Sequence, residues 1–64
     1  MSDLLKDRLK RSIGKEVLIF LHNRFRYQGK VTGCDDIFVE ILDYRSKGYK
    51  ILRITSIEEV EVKE

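Results

Sequence analysis

A short N-terminal helix followed by five strongly bent antiparallel strands that close into a small barrel is the mainly β fold this sequence predicts. Three observations lead there. Apolar residues recur at helical spacing over residues 3–12 and switch to a period of two from Glu16 onward. Glycine and polar clusters then cut the alternating part into five short runs. No stretch between those runs is long enough for a crossover, so strands adjacent in sequence must pair antiparallel.

The helix comes first. Ser2 suits an N-cap, and Asp3 is placed to meet the positive helix end. Leu5, Leu9 and Ser12/Ile13 form one face with Leu4 beside them, while Lys6, Asp7, Arg8, Lys10 and Arg11 fill the other arc. Gly14 is the natural stop. A helix over about residues 3–12 is too short to stand alone, so it must lie on an apolar surface.

The strands follow. In residues 16–22, Val17, Ile19 and Leu21 alternate with Leu18 and Phe20, so both faces are apolar and both need cover. His22–Asn23–Arg24 reads as a tight turn, with Asn23 suited to a positive φ. Over 25–34, Phe25, Tyr27, Gly29 and Val31 alternate with Arg26, Gln28, Lys30 and Thr32; Gly29 marks a sharp bend or a close backbone approach. Residues 37–42, 49–55 and 57–62 supply the remaining strands, and the joint Asp43–Gly48 is polar. Asp35 suits a turn in which its carboxylate accepts backbone hydrogen bonds, and Cys34 suits the core. A barrel of this size holds side chains, not a ligand cavity.

Size and composition narrow the function. Sixty-four residues make one domain, 1–64, in which burial barely offsets ordering entropy. With one cysteine there is no internal disulfide, and Cys34 and His22 cannot form a zinc site. The remaining way to stabilise so small a fold is association, so an oligomer is expected. The longest uninterrupted apolar run, Val17–Leu21, is far short of the about 20 residues of a membrane span, and the first residues lack the apolar core of a secretory signal. A reducing, cytoplasmic setting is the expectation. His22 has no Ser, Cys or second His to complete a nucleophile or metal set, so no catalytic residue, metal, cofactor or small-molecule substrate is implied.

The net charge of +2 is unremarkable, but its distribution is not. Lys6, Arg8, Lys10, Arg11 and Lys15 outnumber Asp3 and Asp7; Arg24, Arg26 and Lys30 have no acid among residues 17–34; and Glu58, Glu59 and Glu61 make the end acidic. Such blocks can place one sign on each face, and a basic face suits a polyanion. The same charges also fit a solvated, well-mixed surface.

Val17 to Asp35, with Gly29, Val31 and Asp35 in register, resembles the first motif of the Sm-like family, and Leu52–Ile57 is similar to the second. Leu21–His22–Asn23, Gln28–Gly29 and Tyr49–Lys50 also resemble the bacterial Hfq-like branch. The resemblance covers roughly residues 3–62. It implies a homo-hexameric or heptameric ring, closed by the fourth strand of one subunit and the fifth of the next, and single-stranded RNA as partner. The family's base pocket maps onto Ile37, Val39 and Arg53, of which only Arg53 keeps its type; Ile37 cannot stack as an aromatic does and Val39 offers no side-chain hydrogen bond. Ile54 stands where the second motif has glycine, and Ile51 where the Hfq-like branch has histidine. Lys50 matches the Hfq-like lysine, Phe20 and Arg26 its opposite-face stacking and basic positions, with Arg24 in place of the turn glycine, and Lys10 and Arg11 its basic rim.

Each position also has a plain reading. Phe20 serves equally as core, Arg53 as an ion-pair partner of Glu58 or Glu59, and Arg24 and Arg26 as solvated hairpin charge. The expected function is therefore a ring that binds single-stranded RNA through a basic, aromatic surface. The alternatives are a structural or protein-interaction ring that has lost the base pocket, and a small barrel on duplex DNA.

Overall fold

The computed structural model describes residues 4–63, so the capping roles expected of Ser2 and Asp3 lie outside the described residues. Helix α1 spans Leu4–Lys10, and the strands are β1 (Glu16–Leu21), β2 (Arg26–Cys34), β3 (Phe38–Asp43), β4 (Gly48–Arg53) and β5 (Ile57–Lys63). A three-residue 3₁₀ turn, Ile54–Ser56, joins β4 to β5 where the sequence suggested a longer strand.

All pairs are antiparallel, in one sheet of order β4-β3-β2-β1-β5. The expected barrel is not closed. After Arg53 the 3₁₀ turn redirects the chain, and β5 pairs with β1 through Val17–Val62 and Ile19–Val60, leaving β4 and β5 as opposite outer edges. Two one-residue bulges bend the sheet. Thr32 is extra between the Val31–Ile41 and Gly33–Glu40 pairs, and Glu58 between Phe20–Glu59 and Leu21–Ile57. The first bulge shifts the phase so that Cys34, paired with Val39, packs on the core.

The inner face of the sheet carries Val17, Ile19, Val31, Val39 and Ile41, all fully buried, with Ile54 and Ile57. Leu9 and the half-buried Leu5 press α1 onto this cluster, as the helix requires for its stability. Ser12, also buried, donates from Oγ to the Arg8 carbonyl at 2.6 Å. Gly14 takes φ +88°, and the chain then runs beside β2 through Gly14 N–Val31 O at 2.7 Å. At Gly29 a Cβ would overlap the Leu42 carbonyl oxygen and sit 2.9 Å from its carbon, so the close approach of β3 to β2 requires glycine there. Leu18 and Phe20, on the other face of β1, are half-buried and lie outside the core cluster.

Candidate nucleic-acid interface

Three turns fix where the basic and aromatic side chains stand. In the β1–β2 turn, Asn23 Oδ1 accepts from Phe25 N at 3.1 Å, and it is Arg24, not Asn23, that takes the positive φ of 72°. The asparagine side chain mimics a backbone turn, which passes the left-handed conformation to the next residue. In the β2–β3 turn, Asp35 Oδ1 accepts from Ile37 N at 2.8 Å and Phe38 N at 2.7 Å, the acceptor role expected of it. Those bonds hold its carboxyl below the usual 3.8. In the β3–β4 turn, Asp43 accepts from Ser46 Oγ at 2.9 Å and more loosely from Ser46 N and Arg45 N; these bonds, the hydroxyl first, also lower its pKa. Tyr44 N donates to Gln28 O at 3.0 Å, which ties this turn to β2.

The basic positions fall into separate groups. Phe20 is half-buried and stands opposite Arg26 across the β1–β2 pair, with Glu59 opposite it on the β5 side. Arg24 is exposed at the tip of the same hairpin. Arg53, at the end of β4, lies over the Phe38 ring at 5.7 Å instead of pairing with Glu58 or Glu59. Ile37 is exposed beside it, joined through Ile54 N–Ile37 O at 2.8 Å, whereas Val39 is fully buried in the core and cannot meet a ligand in this chain. Lys50 is half-buried on the inner register of β4, opposite Ile41.

Lys10 and Arg11, at the end of the helix, are already engaged. Lys10 Nζ meets Asp36 Oδ1 at 2.6 Å, and this bond raises the lysine pKa and lowers that of the aspartate. Arg11 Nε lies 3.3 Å from Asp7 one turn away. Both pairs are exposed and so hold weakly. Beside them burial pushes the Cys34 thiol up, which disfavours its nucleophilic thiolate form.

Phe38, Phe25, Tyr44 and Arg45 were not singled out by the sequence reading. Phe25, Tyr44 and Arg45 line the same groove as Arg26, and Phe38 supplies the ring under Arg53. Aromatic residues exposed beside turn or strand-end arginines are the signal that was present. Among the described residues no group of three or more His, Cys, Asp or Glu is arranged to hold a metal ion, and no helix is long and apolar enough to cross a membrane. The molecule is thus a small, open antiparallel sheet with one covering helix and scattered basic–aromatic surface groups. No family model and no curated protein matches the sequence.

Proposed function

We propose that this chain is an Sm-like subunit that closes its barrel in a homo-hexameric or heptameric ring and binds single-stranded RNA through the ring's basic, aromatic surfaces. It acts as a binding protein, not an enzyme. The observation that carries the reading is the state of the two outer strands: β4 and β5 do not pair with each other, so each keeps one unpaired edge, and their exposed side chains differ in charge. Arg53 is exposed at the end of β4, and Glu58, Glu59 and Glu61 are exposed on β5. Bare edges of this kind invite a further strand, and a head-to-tail pairing that closes on itself leaves none exposed.

RNA is favoured as ligand because cations and aromatic rings recur together, at Phe20–Arg26 and at Phe38–Arg53. Arginine neutralises phosphates and exposed rings stack bases. With Ile37 and Val39 in place of a stacking aromatic and a base-reading amide, recognition rests on charge and stacking. Repetition around a ring turns weak single contacts into useful avidity.

Light scattering on the eluting peak of a sizing column, then titration of labelled oligo-U, oligo-A and duplex DNA at two salt concentrations, tests this. A mass several times 7.6 kDa with salt-sensitive binding of the single strands is expected. A monomer at micromolar concentration sinks the ring. A ring that binds no oligonucleotide is a structural or interaction module, and preference for duplex assigns the basic hairpin to DNA.

A further inference from the structure

We propose that the outer face of β2, β3 and β4 is a protein-docking site, which takes an arginine or lysine set among apolar neighbours on a partner chain. The inference depends neither on the ring nor on RNA. It rests on Thr32, Gly33 and Glu40, to which the Sm-like resemblance gives no role.

The strand register builds the site. Glu40 on β3 stands opposite Gly33 on β2 and Ile51 on β4, and Phe38 lies two residues back on the same face. With Cys34 and Asp35 they line a concavity of about 340 Å³. That volume falls at the small end of the range for binding sites, about 300–1,000 Å³. Phe38 and Ile51 stay 37% and 65% exposed, so apolar surface is left open here. Gly33 keeps the floor clear, since a Cβ there would meet only Glu40 Oε1, at 3.9 Å. Glu40 lies one strand in from the β4 edge and Gly33 two, so a strand added at that edge does not cover them.

The chemistry of the occupant follows from Glu40. Thr32, the extra residue of the β2 bulge, donates from Oγ1 to Glu40 Oε1 at 2.9 Å. The carboxylate is thereby held half-buried in the middle of the face, and among the described residues its Oε2 has no hydrogen-bond or ion-pair partner. Neighbouring cations are turned elsewhere: Lys10 holds Asp36 at 2.6 Å, and Arg53 lies over the Phe38 ring. Asp35 adds a second carboxylate, bonded only to backbone N–H groups. An apolar cover would strand the Glu40 charge, at a cost greater than the contact returns. A phosphate backbone would be repelled. An arginine or lysine satisfies both halves of the site, with its head on the open carboxylate oxygen and its stem along Phe38 and Ile51. Exposed Tyr49, two residues from Ile51 on the same face, carries the apolar surface beyond the concavity, which suits a peptide better than a lone amine.

The test records amide spectra of the full-length protein as a short capped peptide is added, with arginine between two leucines or with norleucine in its place. The arginine peptide should shift the amides of Gly33, Phe38 and Glu40, and the norleucine peptide should bind about tenfold more weakly. Glu40→Gln keeps an acceptor for Thr32 but loses the charge. It should weaken the arginine peptide about tenfold and leave the norleucine peptide unchanged. Gly33→Leu fills the concavity and should stop both peptides, and a melting curve for each variant shows that the fold persists. Shifts that are absent or confined to other surfaces, or equal binding of the two peptides, overturn the proposal. Shifts at the same amides with oligo-U would give the face to nucleic acid, and shifts with protein concentration alone would give it to a second copy; either result also overturns it.

Discussion

The two outer strands, β4 and β5, are bare in different ways. Tyr49 and Ile51 on β4 are 66% and 65% exposed, alternating with Lys50 and ending in Arg53 over Phe38. The exposed side of β5 is mainly acidic, with Glu58, Glu59 and Glu61 against Lys63 at its end, while Val60 and Val62 turn inward onto the core. A second β5 laid against β5 would set carboxylates side by side, and two β4 edges would oppose cations. Only β4 on β5 relieves both. The difference teaches that a symmetric two-fold pair is disfavoured and a head-to-tail contact favoured, the kind that closes into a ring or runs on as a filament.

The largest effect should come from erasing that difference on one edge. Glu59→Lys/Glu61→Lys makes both edges cationic, and light scattering should find the monomer, because like charges across an interface cost several kcal/mol. Arg53→Glu replaces the exposed cation of β4 by an acid and should do the same. Mixing the two variants restores opposite charges at every contact if the subunits alternate. Alternation closes only in a ring with an even number of subunits. A hexamer should therefore recover its full mass on mixing, whereas a heptamer cannot recover a closed ring of its own size. Continued assembly of either variant alone would remove the electrostatic basis of the proposal.

A smaller effect separates how the two edges are held. The β4 side reaches the rest of the sheet through β3, and β3 lies on β2 only because Gly29 has no side chain to strike the Leu42 carbonyl. Gly29→Ala should cost about 1–3 kcal/mol in urea unfolding, as crowding in a packed interior does. The β5 side has no such dependence. It pairs directly with β1, and in the variant its amides should keep their protection better than those of β4. Equal loss along both edges would mean that the sheet yields as a whole.

Smaller again is the contribution of one apolar side chain. Ile51→Ser removes no core contact, so the folded monomer should change within about 0.5 kcal/mol. Assembly should weaken by about tenfold in the concentration at which it falls apart, since covering an isoleucine is worth roughly 1.5–3 kcal/mol. Equal sensitivity of folding and assembly would place Ile51 in the core after all.

Most of the fold was legible because it is written locally. Helical spacing gave α1, alternation gave the strands, Gly29 gave the close approach, and Asp35 gave its turn. What escaped depends on pairing. The bulges at Thr32 and Glu58 arise where two strands of unequal length meet, and no single strand announces them. Ile54 looked like more strand because a buried apolar residue in a 3₁₀ turn has the same composition as one in a β run. The same limit hid which side chains meet on the surface. Arg53 and Phe38 are fifteen residues apart and meet only through the β3–β4 register. Tyr44 and Arg45 have the composition of an ordinary loop, and they come to line one concavity with Phe25 through the turn that Asp43 holds.

Acid should separate the two edges without any substitution. The carboxyls of Asp35 and Asp43 hold the turns at the two ends of β3, and both titrate below the usual 3.8 in the folded chain. Between that value and the lowered folded ones, the unfolded chain binds more protons than the folded chain. Stability from these groups is therefore complete above about pH 5 and is lost as pH falls through the folded pKa values. Among the described residues no carboxylate hydrogen bond anchors β5, so the loss falls on the β3–β4 side. In the charge-reversed monomer, the β4 amides that face β3 should lose hydrogen-exchange protection between pH 5 and pH 2 before the amides joining β1 to β5. Asp43→Asn keeps one acceptor oxygen but loses the charge, so it should lower β4 protection near pH 6 and flatten its fall in acid. Earlier loss at β5 would mean that the aspartate turns do not hold the β4 edge.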